Sequence, residues 1–259
     1  MIKRLSRLVA VMLLISGVSS VAAQELQVYY FPRPPLYIKA ADGNPTGFLT
    51  EIAKLVLNET KVAYKLVEMP SARVEPSLKN RDYAVGLGWF KNPAREEWAS
   101  FSEPVYQDLP NVVIVNKEKA GVLGAQTTMS GLMKSGLTLG VIDGFSYGAF
   151  ADKAIADEKP KTEKVVGEQG TLVAMVARSR ADYMILGLEE AGYLMENDPA
   201  SAASLKVIKI SDWPAGNFRY FMFSKVVDKT VIDKVNAAIA KVKTSENYKK
   251  LTDFSKYLK

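Results

Sequence analysis

Two absences bound the chemistry open to this chain. Its 259 residues include no histidine and no cysteine. That removes Ser-His-Asp catalysis, imidazole-bound zinc, thiol nucleophiles and any disulfide framework. Carboxylates, lysines, tyrosines and arginines remain. The segment Ala84–Phe90 (AVGLGWF) sets Gly86 and Gly88 beside Trp89 and Phe90, with Arg95 five residues further on. Glycine at a strand end lets a ligand approach bare backbone, and an adjacent ring adds apolar contact and stacking. A guanidinium offers a carboxylate a planar, two-pronged fork. Trp89 and Phe90 could equally pack a hinge, and Arg95 could pair with Glu96 or Glu97 on the surface.

Further candidates are scattered along the chain. Gly144-Phe145-Ser146-Tyr147 falls between a strand pattern and a helix pattern. There the N–H groups of a helix start would bind an anion, with Ser146 as cap or donor. Arg73, after Met69-Pro70-Ser71-Ala72, is a second cation that could also be an exposed helix charge. Phe31, Arg33 and Tyr37 follow the first strand in a proline-rich loop, as a wall over a ligand or as a rigid turn. Arg219 could serve hinge or pocket. Glu189 and Glu190 open a helix, and Glu168 and Glu189 are the carboxylates that acid–base chemistry would call on.

The elements that must position these residues alternate. Leu26–Phe31, Val62–Val67, Tyr83–Leu87 and Asn111–Val115 read as strands, as do Leu137–Ile142, Lys164–Val166, Tyr183–Leu186, Leu205–Ile210 and Arg219–Phe223. Helical spacing covers Phe48–Glu59, Ala72–Leu78, Ser146–Ala156, Thr171–Arg178, Glu189–Glu196, Val231–Val242 and Asn247–Tyr257. Alternating β and α elements imply an α/β fold with mostly parallel sheets. The pattern restarts near residue 116, which suggests two lobes. In such sheets ligands bind beyond the carboxyl ends of the strands, so the loops after Phe31, Leu87, Ile142 and Leu186 are the places to look.

Residues 1–23 have the form of a secretory signal. Lys3, Arg4 and Arg7 precede the short apolar run Leu8–Ile15, and Val21-Ala22-Ala23 is a small-residue cleavage site. The whole chain carries 34 basic and 28 acidic residues, +6; without the three basic residues of the signal the balance is 31 to 28, +3. So small a charge, with no basic stripe, gives no footing for nucleic-acid binding. Export without cysteine suits a bacterial periplasm and excludes a lipid anchor built on cysteine.

Five segments in order resemble bacterial extracellular solute-binding proteins of family 3, the polar-amino-acid receptors of ABC transporters. They are Gly47-Phe48; Ala84 through Phe90 to Arg95; Phe101-Ser102-Glu103-Pro104; Leu139 to Ser146; and Ser179-Arg180-Ala181-Asp182-Tyr183. The resemblance implies a type II periplasmic binding fold, two α/β lobes with mostly parallel central sheets joined by two hinge segments. Residues 24–114 and 217–259 would form lobe 1 and residues 115–216 lobe 2, crossing at Val112–Val115 and around Gly216–Arg219. It implies a carboxylate-bearing ligand held by Arg95, with Gly88, Trp89, Phe90, Phe145, Ser146, Tyr147, Arg73 and Phe31 around it. The family's aspartate for a ligand ammonium falls at Gly187, leaving Glu189 or Glu190 as substitutes. Lys91 and Asn92 stand where the family has threonine, and two extra residues precede Arg95. The expected protein is a periplasmic monomer without cofactor or catalysis that presents its ligand to an inner-membrane permease. A sensing module or a secreted dehydratase on the same fold are the alternatives.

Overall fold

The computed structural model describes residues 24–166 and 169–257; the signal read at residues 1–23 and Glu168 lie outside them. The long apolar runs of the sequence become strands covered on both faces. In Asn111–Asn116, Val112 and Ile114 enter one apolar cluster while Val113 and Val115 enter another. A strand buried on both sides has no polar face to alternate with, hence its continuous apolar reading.

Among the described residues the strands are, in chain order, β1 (Leu26–Tyr30), β2 (Ile38–Lys39), β3 (Pro45–Thr46), β4 (Tyr64–Glu68), β5 (Ala84–Trp89), β6 (Ala99–Phe101), β7 (Tyr106–Gln107), β8 (Asn111–Asn116), β9 (Gln126–Thr127), β10 (Leu139–Ile142), β11 (Thr162–Val165), β12 (Tyr183–Gly187), β13 (Leu205–Ile210) and β14 (Phe218–Ser224). One sheet runs β4-β1-β5-β14-β6, with β7 also on β14; a second runs β11-β10-β12-β8-β13-β9; β2 and β3 form a small ribbon. β1 is parallel to β4 and β5, and β10 to β11 and β12. One antiparallel strand inserts into each sheet: β14 in the first, β8 in the second. The α/β class with two sheets is as the sequence predicts.

Helices flank both sheets. Helix Lys229–Lys243 sets Ile232, Val235, Ile239 and Val242 along one stripe and carries Lys241 and Lys243 in its last turn, where the macrodipole favours cations. That stripe packs with Leu49, Ile52 and Val56 of helix Phe48–Thr60 on one face of the first sheet. Val74 and Leu78 of helix Ser71–Lys79 cover the other face. Each fully buried side chain of this kind stabilises the fold by about 1.5–3 kcal/mol.

The change of sheet falls earlier than expected. Val112–Val115 lie inside β8, so the first crossing is the segment between Gln107 and Asn111, and the lobe boundary set at residue 114 moves upstream with it. The cause is burial: these four side chains complete both cores of the second sheet. The return crossing lies between Ile210 and Phe218. The two crossings pair: the Asp108 N–H donates to the Asn217 carbonyl at 3.0 Å, and Gln107 Nε2 to the Gly216 carbonyl at 3.1 Å. Asp108 backbone stands where a Cβ on residue 216 would project, so only glycine fits there.

Candidate functional site

A cavity of about 350 Å³ opens between the two sheets. Each side chain on its wall has a local reason to be there. The loop after β1 brings Phe31, Arg33 and Tyr37, and the end of β5 brings Leu87, Gly88, Trp89 and Phe90. Gly88 is at φ +67°, and a Cβ there would strike the Tyr37 hydroxyl; the bare backbone lets Tyr37 donate to the Leu87 carbonyl at 2.8 Å. Phe31 sits edge-on to Trp89 with ring centroids 6.4 Å apart and tilted against Tyr37 at 5.7 Å. Helix Ser71–Lys79 contributes Ser71, Ala72, Glu75, Pro76 and Lys79; the second lobe contributes Asp143 to Ser146.

Three arginines line the cavity, each bound to an internal carboxylate. Arg95 is brought in by a one-turn helix that Asn92 caps, its Oδ1 accepting from the Arg95 N–H at 2.9 Å. The Arg95 guanidinium donates through Nε and Nη2 to Glu75 at 3.1 and 2.7 Å, and through Nη1 to the Phe90 carbonyl at 2.8 Å. It stacks over Trp89 at 4.8 Å. Its carboxylate partner is therefore Glu75 rather than Glu96 or Glu97; Glu96 pairs with Lys91. Arg219 comes from β14, where the register with β5 shifts between Tyr220 and Met222. It is buried, bonds Asp108 through Nε at 2.5 Å, donates through Nη1 to the Gly88 carbonyl at 3.0 Å and lies over Phe90 at 4.7 Å.

Arg33 crosses the cleft. It donates to both oxygens of Glu190 at 2.7 and 2.9 Å and lies 5.5 Å from the Phe145 ring centroid. Burial alone would raise the Glu190 carboxyl; the adjacent Arg33 guanidinium outweighs it and holds the group below its ordinary value. A smaller cavity of about 30 Å³ adjoins this pair, with Arg33, Tyr147, Glu190 and Arg219 on its wall.

Of the predicted ligand contacts, Arg95, Trp89, Phe90, Gly88, Phe145, Ser146 and Phe31 meet in the larger cavity. Tyr147 faces the smaller one, its hydroxyl accepting from the Ile142 N–H at 2.8 Å. Three expectations need correction. Arg73 is exposed and off the wall, because two residues along a helix turn it away from the face that carries Glu75. Ser146 does not cap its helix, which starts at Ala149 after Gly148; its hydroxyl instead donates to Asp152 at 2.5 Å and accepts from the Gly148 N–H. Glu189 lines neither cavity. Its Oε1 accepts from the Tyr106 hydroxyl at 2.5 Å and the Leu109 N–H at 2.7 Å, tying helix Leu188–Asn197 to the first crossing. Burial, with Asp108 nearby, pushes its carboxyl up to about 7.

Glu75, Lys79, Asp108 and Asp143 are wall or partner groups that sequence reasoning passed over. Glu75 could have been found by following Ser71 and Ala72 one helical turn on. Asp108, by contrast, lies 111 residues from Arg219 with no local sign of the pairing. Among the described residues no group of carboxylates is placed to hold a metal ion, and no helix is long and apolar enough to cross a membrane.

Comparison with known proteins agrees with this architecture. The family model of bacterial extracellular solute-binding proteins, family 3, matches residues 26–258. An ancestral arginine-binding protein bound to arginine superposes with a TM-score of 0.71 at 19% identity, covering 91% of this chain and 98% of its own. An amino acid ABC transporter substrate-binding protein from Streptococcus pneumoniae, bound to L-arginine, gives 0.71 at 21%, covering 91% and 96%. An ancestral amino acid-binding protein, a precursor of cyclohexadienyl dehydratase, gives 0.69 at 20%, covering 91% and 96%. At such identities the likeness to these structures is one of fold. No curated protein matches the chain.

Proposed function

The chain belongs to the bacterial extracellular solute-binding proteins, family 3, and from that premise we propose that it captures a small carboxylate-bearing solute between its lobes and delivers it to an ABC transporter. One observation carries the reading: both lobes wall a cavity of about 350 Å³ that contains three guanidinium groups and an aromatic lining. Arg95, Arg33 and Arg219 supply the donors a carboxylate needs. Phe31, Trp89, Phe90 and Phe145 supply apolar contact on both sides of the cleft.

Capture needs no bond to be made or broken. A solute that touches both walls binds the closed form more tightly than the open form, and that difference shifts the population towards closure. The closed chain, working as a monomer in the periplasm after loss of residues 1–23, is then the form an inner-membrane permease receives. Glu189, one of the two acid–base candidates of the enzymatic alternative, sits against the crossing rather than on the cavity wall, which favours binding over catalysis.

A thermal-shift screen against amino acids, organic acids and polyamines tests the proposal. A true ligand at 100 times its Kd should stabilise the protein by about 2.7 kcal/mol. Arg95→Ala should weaken binding of that ligand at least tenfold, because Arg95 joins the strand-end aromatics to the donor set. The free variant should melt within a few degrees of wild type, since its partner Glu75 is part-exposed and solvent can take it up. If no solute of any class stabilises the protein, the receptor reading falls.

A further inference from the structure

We infer that the solute is a carboxylate with an apolar, aromatic body and no ammonium group, and that Arg33 is the residue that excludes the ammonium. The inference rests on the receptor reading and refines it. It follows from matching the donors and acceptors on the cavity wall. Three internal carboxylates stand at or behind the wall, and each is held by an arginine: Glu75 by Arg95, Asp108 by Arg219, Glu190 by Arg33. The carbonyls at the end of β5 are engaged as well. Leu87 accepts from Tyr37, Gly88 from Arg219 and Phe90 from Arg95. Asp143 on the rim is 60% exposed and stands 3.9 Å from Lys164.

Donors, in contrast, remain. Arg33 uses Nε and Nη2 on Glu190, and among the described residues its Nη1 meets no acceptor. Arg219 uses Nε and Nη1, leaving Nη2 likewise. A ligand carboxylate therefore finds free guanidinium N–H groups, while a ligand ammonium meets only Glu75, whose Oε1 is taken by Arg95 and whose Oε2 stands 4.0 Å from Lys79, and Asp143 out on the exposed rim. Glu190, buried on the wall of the adjoining smaller cavity behind Arg33, is the remaining acceptor an ammonium could reach, and the Arg33 fork covers both its oxygens. The remaining wall is aromatic: Phe31, Trp89, Phe90 and Phe145.

Calorimetric titration of the wild-type protein with matched pairs tests this: L-phenylalanine against 3-phenylpropionate, and L-tryptophan against indole-3-propionate. Each compound without the amino group should bind at least tenfold tighter than its amino acid. Equal or tighter binding of the amino acids overturns the inference. So does silence from all four compounds; in that case the receptor reading survives if any other solute stabilises the protein in the thermal-shift screen and falls if none does. Arg33→Met, which uncovers Glu190, should move the preference towards the amino acid of each pair at least tenfold; should it not fold, Arg33→Gln carries the same expectation. An unchanged preference removes Arg33 from the specificity assignment.

Discussion

Glu189 and Glu190 are neighbours in the first turn of one helix, both about 3% exposed, and they meet opposite surroundings. Glu190 turns to the cleft and meets a guanidinium that favours its charge. Glu189 turns to the first crossing, where a tyrosine hydroxyl and one N–H are its hydrogen-bond partners and Asp108 adds a like charge. Burial disfavours the charged form of both; only Glu190 has a cation to offset it. The pair teaches that being buried says little about what a carboxylate does. The partner brought from elsewhere in the chain decides.

The largest way to break the contrast is Arg33→Ala. It leaves Glu190 buried without its cation and should cost about 3–5 kcal/mol in urea denaturation at pH 7. Glu190 would then resemble its neighbour, so the loss should shrink as pH falls and the carboxyl protonates. A smaller effect of opposite sign is expected for Glu189→Gln. The folded protein holds Glu189 near 7 against an ordinary 4.5, so its protonated form contributes stability that is complete below pH 4.5 and lost as pH rises through 7. That displacement corresponds to about 3 kcal/mol. A glutamine oxygen can still accept from Tyr106 and Leu109. The variant should therefore match wild type near pH 4 and exceed it by up to about 3 kcal/mol at pH 8.5. Glu190 has the reverse dependence, its contribution present above 4.5 and lost as pH falls through its lowered value. Denaturation midpoints of the wild-type protein should accordingly peak where the two windows meet, at about pH 4.5. Tyr106→Phe should cost least, about 1–2 kcal/mol, since it removes one hydrogen bond to a carboxyl group. That cost should be greater at pH 8.5, where Glu189 is ionised, than at pH 5.

How much of this could be read beforehand depends on the range of the interaction. The buried strands were legible because both faces of β5, β8 and β12 require apolar side chains in sequence. Gly88, Trp89, Phe90 and Arg95 were legible as a group because one strand end and a short capped turn place them together. Periodicity misled where phase mattered. Arg73 and Glu75 lie two residues apart on one helix, and only Glu75 reaches the cavity, since about 100° per residue turns the other away. The assignment of Glu189 to the ligand failed for the same reason: its neighbour holds the cleft. The pairings that set the electrostatics were hidden, because Arg33 and Glu190 are 157 residues apart and Arg219 and Asp108 are 111 apart. Contacts at that separation leave no local pattern in a single sequence.

Gly216, pressed against the backbone of Asp108, gives the hinge a mechanical character. Two linkers joined only at their ends could slip or shear independently. Here they form a short ribbon, with Asp108 bonded to Asn217 and Val105 to Arg219 across it. Neither crossing can shift along the other without breaking these two bonds, and the missing side chain at Gly216 is what lets the two backbones come so close.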